Sequence, residues 1–384
     1  MRQLFTSPGS SRADLASAVG LTKSTVGVLA RDLIAEGWLV EREIVATGDM
    51  GRRPTPLFID PVRLLLIGAE VGIESVRVLA TSLTGDVIAC IEDNYGSART
   101  AEACIHLLAA SLLKICQRLD ARQEVLGIGI GLPGGVDEAR GVLHFAPNLG
   151  WRDVPFAALL AEKLRGTALA AVPLFLQNEA AVAAVGEMEF NPAPASDPLL
   201  YVSISQGLGA GVIVGERLLT GSRGFAGEVG HTVLQLNGPR CSCGRNGCAE
   251  ALIAMPAMHG SLSEVRARLA EADPATLTAV GSAGRYLGML LQNLATAYDP
   301  GCIVLGGAVV ELGEPFLKPA LTTLNDYASA ASLAPPTVRT SRFGASAVAI
   351  GGAALARYRL TRPALQLTDG GATLQDTKTS EEFI

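Results

Sequence analysis

Residues 231–250, HTVLQLNGPRCSCGRNGCAE, place three cysteines within eight positions, the first of them ten residues after a histidine. Thiols this crowded fix the path of the backbone around them more firmly than any other stretch of the chain. A disulfide, a metal site and a chance cluster of free thiols would each explain the spacing. The start of the chain bears on the choice. Met1-Arg2-Gln3-Leu4 is followed by no apolar run of signal-peptide length, and no run long enough to span a membrane occurs. The chain is expected in the cytoplasm, where thiols stay reduced. That weighs against a disulfide.

A length of 384 residues sets two or three domains as the expectation, and 49% hydrophobic with 18% charged residues is ample for buried cores. The net charge of −6 argues against nucleic acid as a partner for the chain taken whole. Its distribution says more. Residues 1–60 hold seven basic and seven acidic side chains, and the remainder holds 24 and 30. A small neutral module precedes a large acidic one.

Residues 10–37 read as two helices around a tight turn. Ser11 caps a helix whose inner face carries Leu15, Ala16 and Val19; Gly20 makes the turn. Thr22 caps a second helix with Val26, Leu29, Leu33 and Ile34 facing inward, and Gly37 closes it. The next stretch, WLVEREIVATGDMGRRPTPLFID, alternates like a two-stranded ribbon with Gly48, Gly51 and Pro54 at its tip. Helix, turn, helix and ribbon make a winged helix-turn-helix. Thr22, Lys23, Ser24 and Thr25 open the second helix, where side chains meet base edges in the major groove. Arg52 and Arg53 in the wing are placed to reach phosphates or a narrow minor groove. A helical hairpin for protein contacts is the alternative. Little chain precedes Ser7 to form the domain's first helix, as a start site assigned too late would explain.

From Leu64 the pattern turns to short apolar strands and helices. LLLIGAEVG, VRVLATSL and VIACIED read as three successive strands, followed by a helix over 101–119 and the buried strand VLGIGIGLP. LLYVSISQGLGAGVIVG repeats strand, glycine turn, strand, and CIVLGGAVV follows a long helix over 279–297. Two α/β lobes facing a cleft are the economical arrangement. Pro192, Pro194 and Pro198 mark a surface loop, and residues 367–384 are expected to form a mobile tail.

Seven motifs in order carry a resemblance: GIGIGLPGGVD (127–137), NLGW (148–151), QNEAAVAAVGE (177–187), GFAGEVGH (224–231), CSCGRNGC (241–248), DPGCIVLGG (299–307) and FGASAVAIGGAALA (343–356). Together they resemble the ROK family of sugar kinases and sugar-responsive repressors. The resemblance implies an actin-like, hexokinase-like ATPase fold behind the winged helix-turn-helix. The expected domains are 1–60 for DNA binding, 61–178 for a first lobe completed by about 341–366, and 179–340 for a second lobe. It also resolves the cysteines. His231, Cys241, Cys243 and Cys248 are expected to hold a structural zinc, a ligand set that suits a closed tetrahedral site. The sugar pocket implied by the family is lined by Asn148, Asn178, Glu179, Glu228, His231 and Glu250, with His231 serving both zinc and sugar.

Kinase and repressor members must be told apart. The kinases carry Asp where this chain has Glu179, and a methylene moves a catalytic base by about an ångström, enough to cost ~100-fold. Their Asp-x-Gly-Gly-Thr phosphate loop is replaced by Glu70-Val71-Gly72-Ile73-Glu74, and their Gly-Thr-Gly by Ser205-Gln206-Gly207. Gly306 and Gly307 are retained. The chain is therefore expected to be a non-enzymatic repressor of sugar-metabolism genes that binds an inverted-repeat operator as a homodimer or dimer of dimers. It would sense a monosaccharide, xylose before glucose or another aldose, because Asn178-Glu179 resembles the pair in xylose-responsive members. A sugar kinase, a bifunctional kinase-regulator and a scaffold protein are the alternatives.

Overall fold

The structure, a computed structural model, describes residues 1–42, 55–96, 99–191 and 196–362. Arg52, Arg53, the expected wing tip, Pro192, Pro194 and the expected tail lie outside them.

The first 60 residues give α1 (Arg2–Thr6), α2 (Arg12–Val19), α3 (Lys23–Ala35), β1 (Leu39–Glu41) and β2 (Leu57–Ile59). Ser11 and Asp14 form a capping box at the start of α2, and Gly20 ends it at φ +68°. Thr22 Oγ1 accepts the Thr25 N–H (3.2 Å) to open α3. The strands pair antiparallel with Leu39 opposite Ile59, which gives the two arms of the expected ribbon.

Two apolar assignments change. Val19 and Leu29 are 50% and 47% exposed, and Ala30 is buried in their stead. At about 100° per residue, Val26, Ala30 and Leu33 fall within about 60° on one face of α3, and Leu29 lies outside that arc, about 100° from Ala30. Val19 is the last residue of α2.

The first lobe is a five-stranded sheet in the order β10-β6-β3-β4-β5. Here β3 (Leu64–Val71), β4 (Ser75–Ser82) and β5 (Val87–Asn94) form an antiparallel meander. β6 (Glu124–Leu132) and β10 (Leu174–Asn178) add in parallel. α4 (Ala101–Cys116) and α5 (Phe156–Leu164) cover one face, with a small sheet of β7 (Gly135–Asp137), β8 (Val142–Ala146) and β9 (Trp151–Val154) at the side. The second sheet has the order β13-β12-β11-β14-β15. It comprises β11 (Leu199–Ile204), β12 (Leu208–Val214), β13 (Arg217–Leu218), β14 (Cys302–Gly306) and β15 (Thr337–Thr340). Its outer face is covered by α7 (Ala249–Ile253), α8 (Leu262–Ala270), α9 (Pro274–Tyr298) and α10 (Glu314–Ala330). α9 begins five residues before its apolar periodicity, because Asp273 caps it and Pro274 occupies the first turn.

Between the two sheets run α6 (Glu179–Glu189) and α11 (Ala347–Thr361). Every residue of α6 from Ala180 to Glu187 is buried. α11 lies so close to the first sheet that a Cβ on Gly68 would stand 1.9 Å from the Ala349 carbonyl oxygen, and one on Gly129 1.9 Å from that of Gly352. The alternating glycines of GIGIG thus serve close helix packing. Leu4, Leu15, Val26 and Leu57 join the apolar cluster that contains α6 and α11, so the N-terminal helices and the lobes share a core.

Candidate functional site

The cysteine segment closes on itself through its backbone. Cys241 N–H donates to the Arg245 carbonyl (2.8 Å), Gly247 N–H to that of Pro239 (2.8 Å), and Leu234 N–H to that of Gly247 (2.9 Å). Gly247 has φ +70°, and a Cβ there would fall 1.5 Å from the Gln235 carbonyl oxygen, so only glycine fits. Among the described residues, donor atoms of His231, Cys241, Cys243 and Cys248 all lie within 4.8 Å of one another. Cys243 and Cys248 sulfurs are 3.7 Å apart, and Cys241 Sγ is 3.6 Å from His231 Nδ1. A disulfide needs about 2.05 Å, whereas thiolates at about 2.3 Å from a tetrahedral zinc stand about 3.8 Å from one another. The donor set fits a zinc ion. Burial pushes the Cys243 thiol up, but hydrogen bonds from the Arg245 backbone and side chain outweigh it and bring the group down to about 7.

His231 turns its other face away from the sulfurs. Its Nε2 lies 3.7 Å from Glu228 Oε2. Glu250, in the first turn of α7, accepts the Leu208 N–H at Oε2 (3.1 Å) and the Ser242 hydroxyl at Oε1 (2.8 Å). Asn148 approaches from the first lobe. Its Nδ2 would be 3.3 Å from a Cβ on Gly207, a point only 3.1 Å from Glu250 Oε2. Glu179 opens α6 and is raised to about 7 by burial, reinforced by the charges of Glu70, Glu228 and Glu250. Glu228 is likewise raised to about 7 by burial and by Glu250.

The cleft between the sheets therefore gathers Asn148, Glu179, Glu228, His231 and Glu250. Asn178 differs from these five. Its Nδ2 donates to the Gly134 carbonyl (2.9 Å) and its Oδ1 accepts from Ala180 (2.8 Å) and Ala181 (3.4 Å), so the amide fixes the Pro133-Gly134 loop and caps α6. Burial and neighbouring carboxylates favour the protonated forms of Glu179 and Glu228, leaving hydroxyl-like donors and acceptors side by side. That suits a polyhydroxylated, uncharged ligand.

A cavity of about 440 Å³ adjoins this cluster, lined by Glu70, Arg77, Glu179, Ser205, Gly306 and Gly307 among others. Burial raises Glu70 to about 7 against the pull of Arg77, whose Nη1 is 3.6 Å from its Oε2. The Ser205 hydroxyl accepts the Ala308 N–H (3.0 Å) that follows the Gly306-Gly307 pair. Glu74 lies at the surface, where it accepts from Arg99 (3.1 Å). Gln206 faces a different cavity.

The ROK family matches residues 66–359. The chain belongs to the ROK family. The xylose repressor of Bacillus subtilis (strain 168) is 32% identical over 325 residues, 81% of each chain. A ROK glucokinase from Streptomyces griseus, solved with glucose and AMPPNP, is 25% identical, covers 77% of this chain and 99% of its own, and superposes with a TM-score of 0.66. A ROK transcriptional regulator homologous to the E. coli MLC protein is 22% identical and shares the fold over 93% of this chain and 94% of its own, with a TM-score of 0.76. The family thus includes both repressors and kinases among this chain's relatives. Its actin-like, hexokinase-type fold is the one observed here. Among the described residues, no helix is long and apolar enough to cross a membrane.

Thr22, Lys23, Ser24 and Thr25 stand together and exposed at the start of α3. Thr22 spends its hydroxyl on the cap and lies 2.8 Å from the hydroxyls of both Ser24 and Thr25. One buried junction joins the N-terminal helices to the lobes. Arg357 of α11 is 3% exposed and stacks between Phe5 of α1 (4.2 Å) and Phe190 at the end of α6 (4.5 Å). It donates to Glu189 Oε2 (2.8 Å) and the Leu83 carbonyl (2.8 Å). An arginine within the apolar run AVAIGGAALARY was the available signal, because a charge there must find a buried partner.

Proposed function

We propose that the chain is a transcriptional repressor of sugar-metabolism genes that senses a monosaccharide in the interlobe cleft and releases its operator on binding. The observation that carries this reading is the joining of a carboxylate- and imidazole-lined cleft to a helix-turn-helix through one continuous core. Asn148, Glu179, Glu228, His231 and Glu250 bind the sugar hydroxyls, and Asn178 holds the loop beside them. The xylose repressor relative makes xylose the first candidate effector, ahead of glucose or another aldose. His231, Cys241, Cys243 and Cys248 hold a structural zinc that keeps Glu228 and Glu250 in register. Thr22 to Thr25 face the major groove, and Arg52 and Arg53 reach the DNA backbone or minor groove. The protein is cytoplasmic and acts on an inverted-repeat operator as a homodimer or dimer of dimers. The domain limits are 1–60, 61–178 with about 341–366, and 179–340.

The residues lining the smaller cavity favour the repressor over the kinase. The Glu70–Arg77 pair occupies the cleft and Ser205 already uses the Ala308 N–H, whereas Glu74 lies at the surface with Arg99. Glu179 near 7 would be a competent base, so kinase or bifunctional kinase-regulator activity, as in the glucokinase relative, is the second reading. Two assays decide. Operator titration with and without xylose should show weaker binding with sugar; equal affinities would overturn the reading. A coupled ATP assay with xylose and glucose should stay at background, whereas turnover of about 1 per second, at the low end for kinases, would establish the alternative.

A further inference from the structure

A second cavity of about 580 Å³ is lined by Glu250 but not by Glu179, which lines the smaller one. Asn148 and Glu250 line it, so it begins where the sugar-contacting cluster ends. From there it runs to α9, and its walls include Gln206, Arg240, Ser282 and Tyr286 with Leu252 and Ala283 beneath. Tyr286 is held in place by donating to Gln235 Oε1 (3.0 Å). Its size falls within the ~300–1,000 Å³ of sites that enclose small ligands. One sugar ring held by Asn148 and Glu250 would leave most of it to water.

We infer that the effector has a second sugar unit, a disaccharide or glycoside, whose first ring binds the carboxylate cluster and whose second ring lies in this cavity. This inference rests on the carbohydrate reading of the cleft. The chemistry of the walls selects the class of ligand. The lining combines amide, hydroxyl and guanidinium groups (Gln206, Ser282, Tyr286, Arg240) with aliphatic carbon (Leu252, Ala279, Ala283), a mixture that suits the hydroxyls and C–H faces of a pyranose. Glu250 is the one carboxylate in the lining, and both of its oxygens already accept, from Leu208 N–H and the Ser242 hydroxyl. It therefore marks the boundary between the two units and is not a free charge in the second. Arg240 is the one guanidinium lining the cavity, and it is exposed. A phosphorylated sugar would meet only Arg240 and His259 as basic groups there, both exposed, and such solvated partners are worth little. Gln206 gains a role that the phosphate-loop comparison did not supply, as an amide for the second ring.

The test is calorimetric titration of the full chain with sugars in pairs: xylose and xylobiose, glucose and cellobiose, glucose and maltose, with glucose 6-phosphate as a control. One pair should show the disaccharide binding about tenfold or more tightly than its monosaccharide. Ser282→Leu and Ala279→Leu fill the cavity from α9, at positions that are not among the first-ring residues. Each should remove that advantage and leave the monosaccharide affinity within about twofold. Monosaccharide binding with no gain from any disaccharide overturns this inference and leaves the sugar-sensing reading standing. Preference for glucose 6-phosphate overturns it as well. Failure of every sugar to bind removes both.

Discussion

Glu179, Glu228 and Glu250 come from three separate stretches of sequence, and their convergence has a consequence at the level of single protons. Burial first, and then the charges of Glu70, Glu228 and Glu250, lift Glu179 from 4.5 to about 7. The folded chain therefore keeps a proton that the unfolded chain gives up. Its contribution to stability is full below pH 4.5 and is lost as pH rises through about 7. Glu179→Gln should accordingly show a smaller fall in Tm between pH 5 and pH 8 than the wild type, measured by calorimetry in matched buffers. Equal falls would mean that the carboxylate is better solvated than its surroundings indicate. Cys243 makes the second residue-scale prediction. Freshly prepared protein should carry about one zinc, and Cys243→Ser should lose most of it and melt at lower temperature, because binding energy at a closed Cys₃His site is folding energy. Elemental analysis and a melting curve check both. The cluster was legible in sequence because its spacing is local. The convergence of the glutamates was accessible only through family motifs, since no local pattern reports which distant carboxylates share a pocket. The capping and loop-fixing bonds of Asn178 likewise depended on the fold, because Gly134 lies 44 residues away in the chain.

At the scale of elements, α6 and α11 are the members that decide the architecture, and in the sequence they stand out only as family motifs, not as helices. Strands β3, β4, β5, β6, β11, β12 and β14 were visible as apolar runs with glycine turns. A buried helix gives no such periodicity, because α6 is covered on every side and alternates nothing with solvent. Helix ends were misplaced where a cap outranked hydrophobic pattern, as at Asp273. The joint at Arg357 shows what these two helices contribute. Arg357 and Glu189 are 3% and 6% exposed at their side chains, and Glu189 also pairs with Arg362, so removing Glu189 leaves Arg357 a buried charge without a carboxylate, whereas removing Arg357 leaves Glu189 still paired. Glu189→Leu should cost about 3–5 kcal/mol in urea unfolding. The double variant with Arg357→Met should recover a large part of that loss, because the orphaned guanidinium is then gone. If the double variant is no more stable than Glu189→Leu, the stacking of Arg357 on Phe5 and Phe190 is worth as much as its unpaired charge costs. In the double variant α1 should become more accessible to protease, because its Phe5 loses its cationic partner.

On the scale of the whole molecule, α6 spans the distance between the two functions proposed for it. Its first residue is Glu179 in the proposed sugar cleft, and its last, Glu189, holds the arginine that Phe5 of the N-terminal helices, the proposed DNA-binding module, rests on. Eleven helical residues make a rod of about 16 Å that is packed against both sheets. A buried rod moves as a unit, so closure of the cleft around a sugar would displace both of its ends together. The sugar can bias that movement only by its differential affinity for the closed cleft, and a tenfold fall in operator affinity needs about 1.4 kcal/mol of coupling. Two hydrogen bonds made only in the closed state, for example at Glu228 and Asn148, are enough at about 1 kcal/mol each. Glu228→Ala should therefore still bind operator but no longer release it in sugar. Phe5→Leu keeps the sugar site whole but loosens the far end of the rod, so it should bind sugar normally and release operator less. Operator titrations of the three proteins at one fixed salt concentration, with and without sugar, together with sugar calorimetry, distinguish the cases. A Phe5→Leu variant that binds sugar and releases DNA as fully as the wild type would place the coupling elsewhere than along α6.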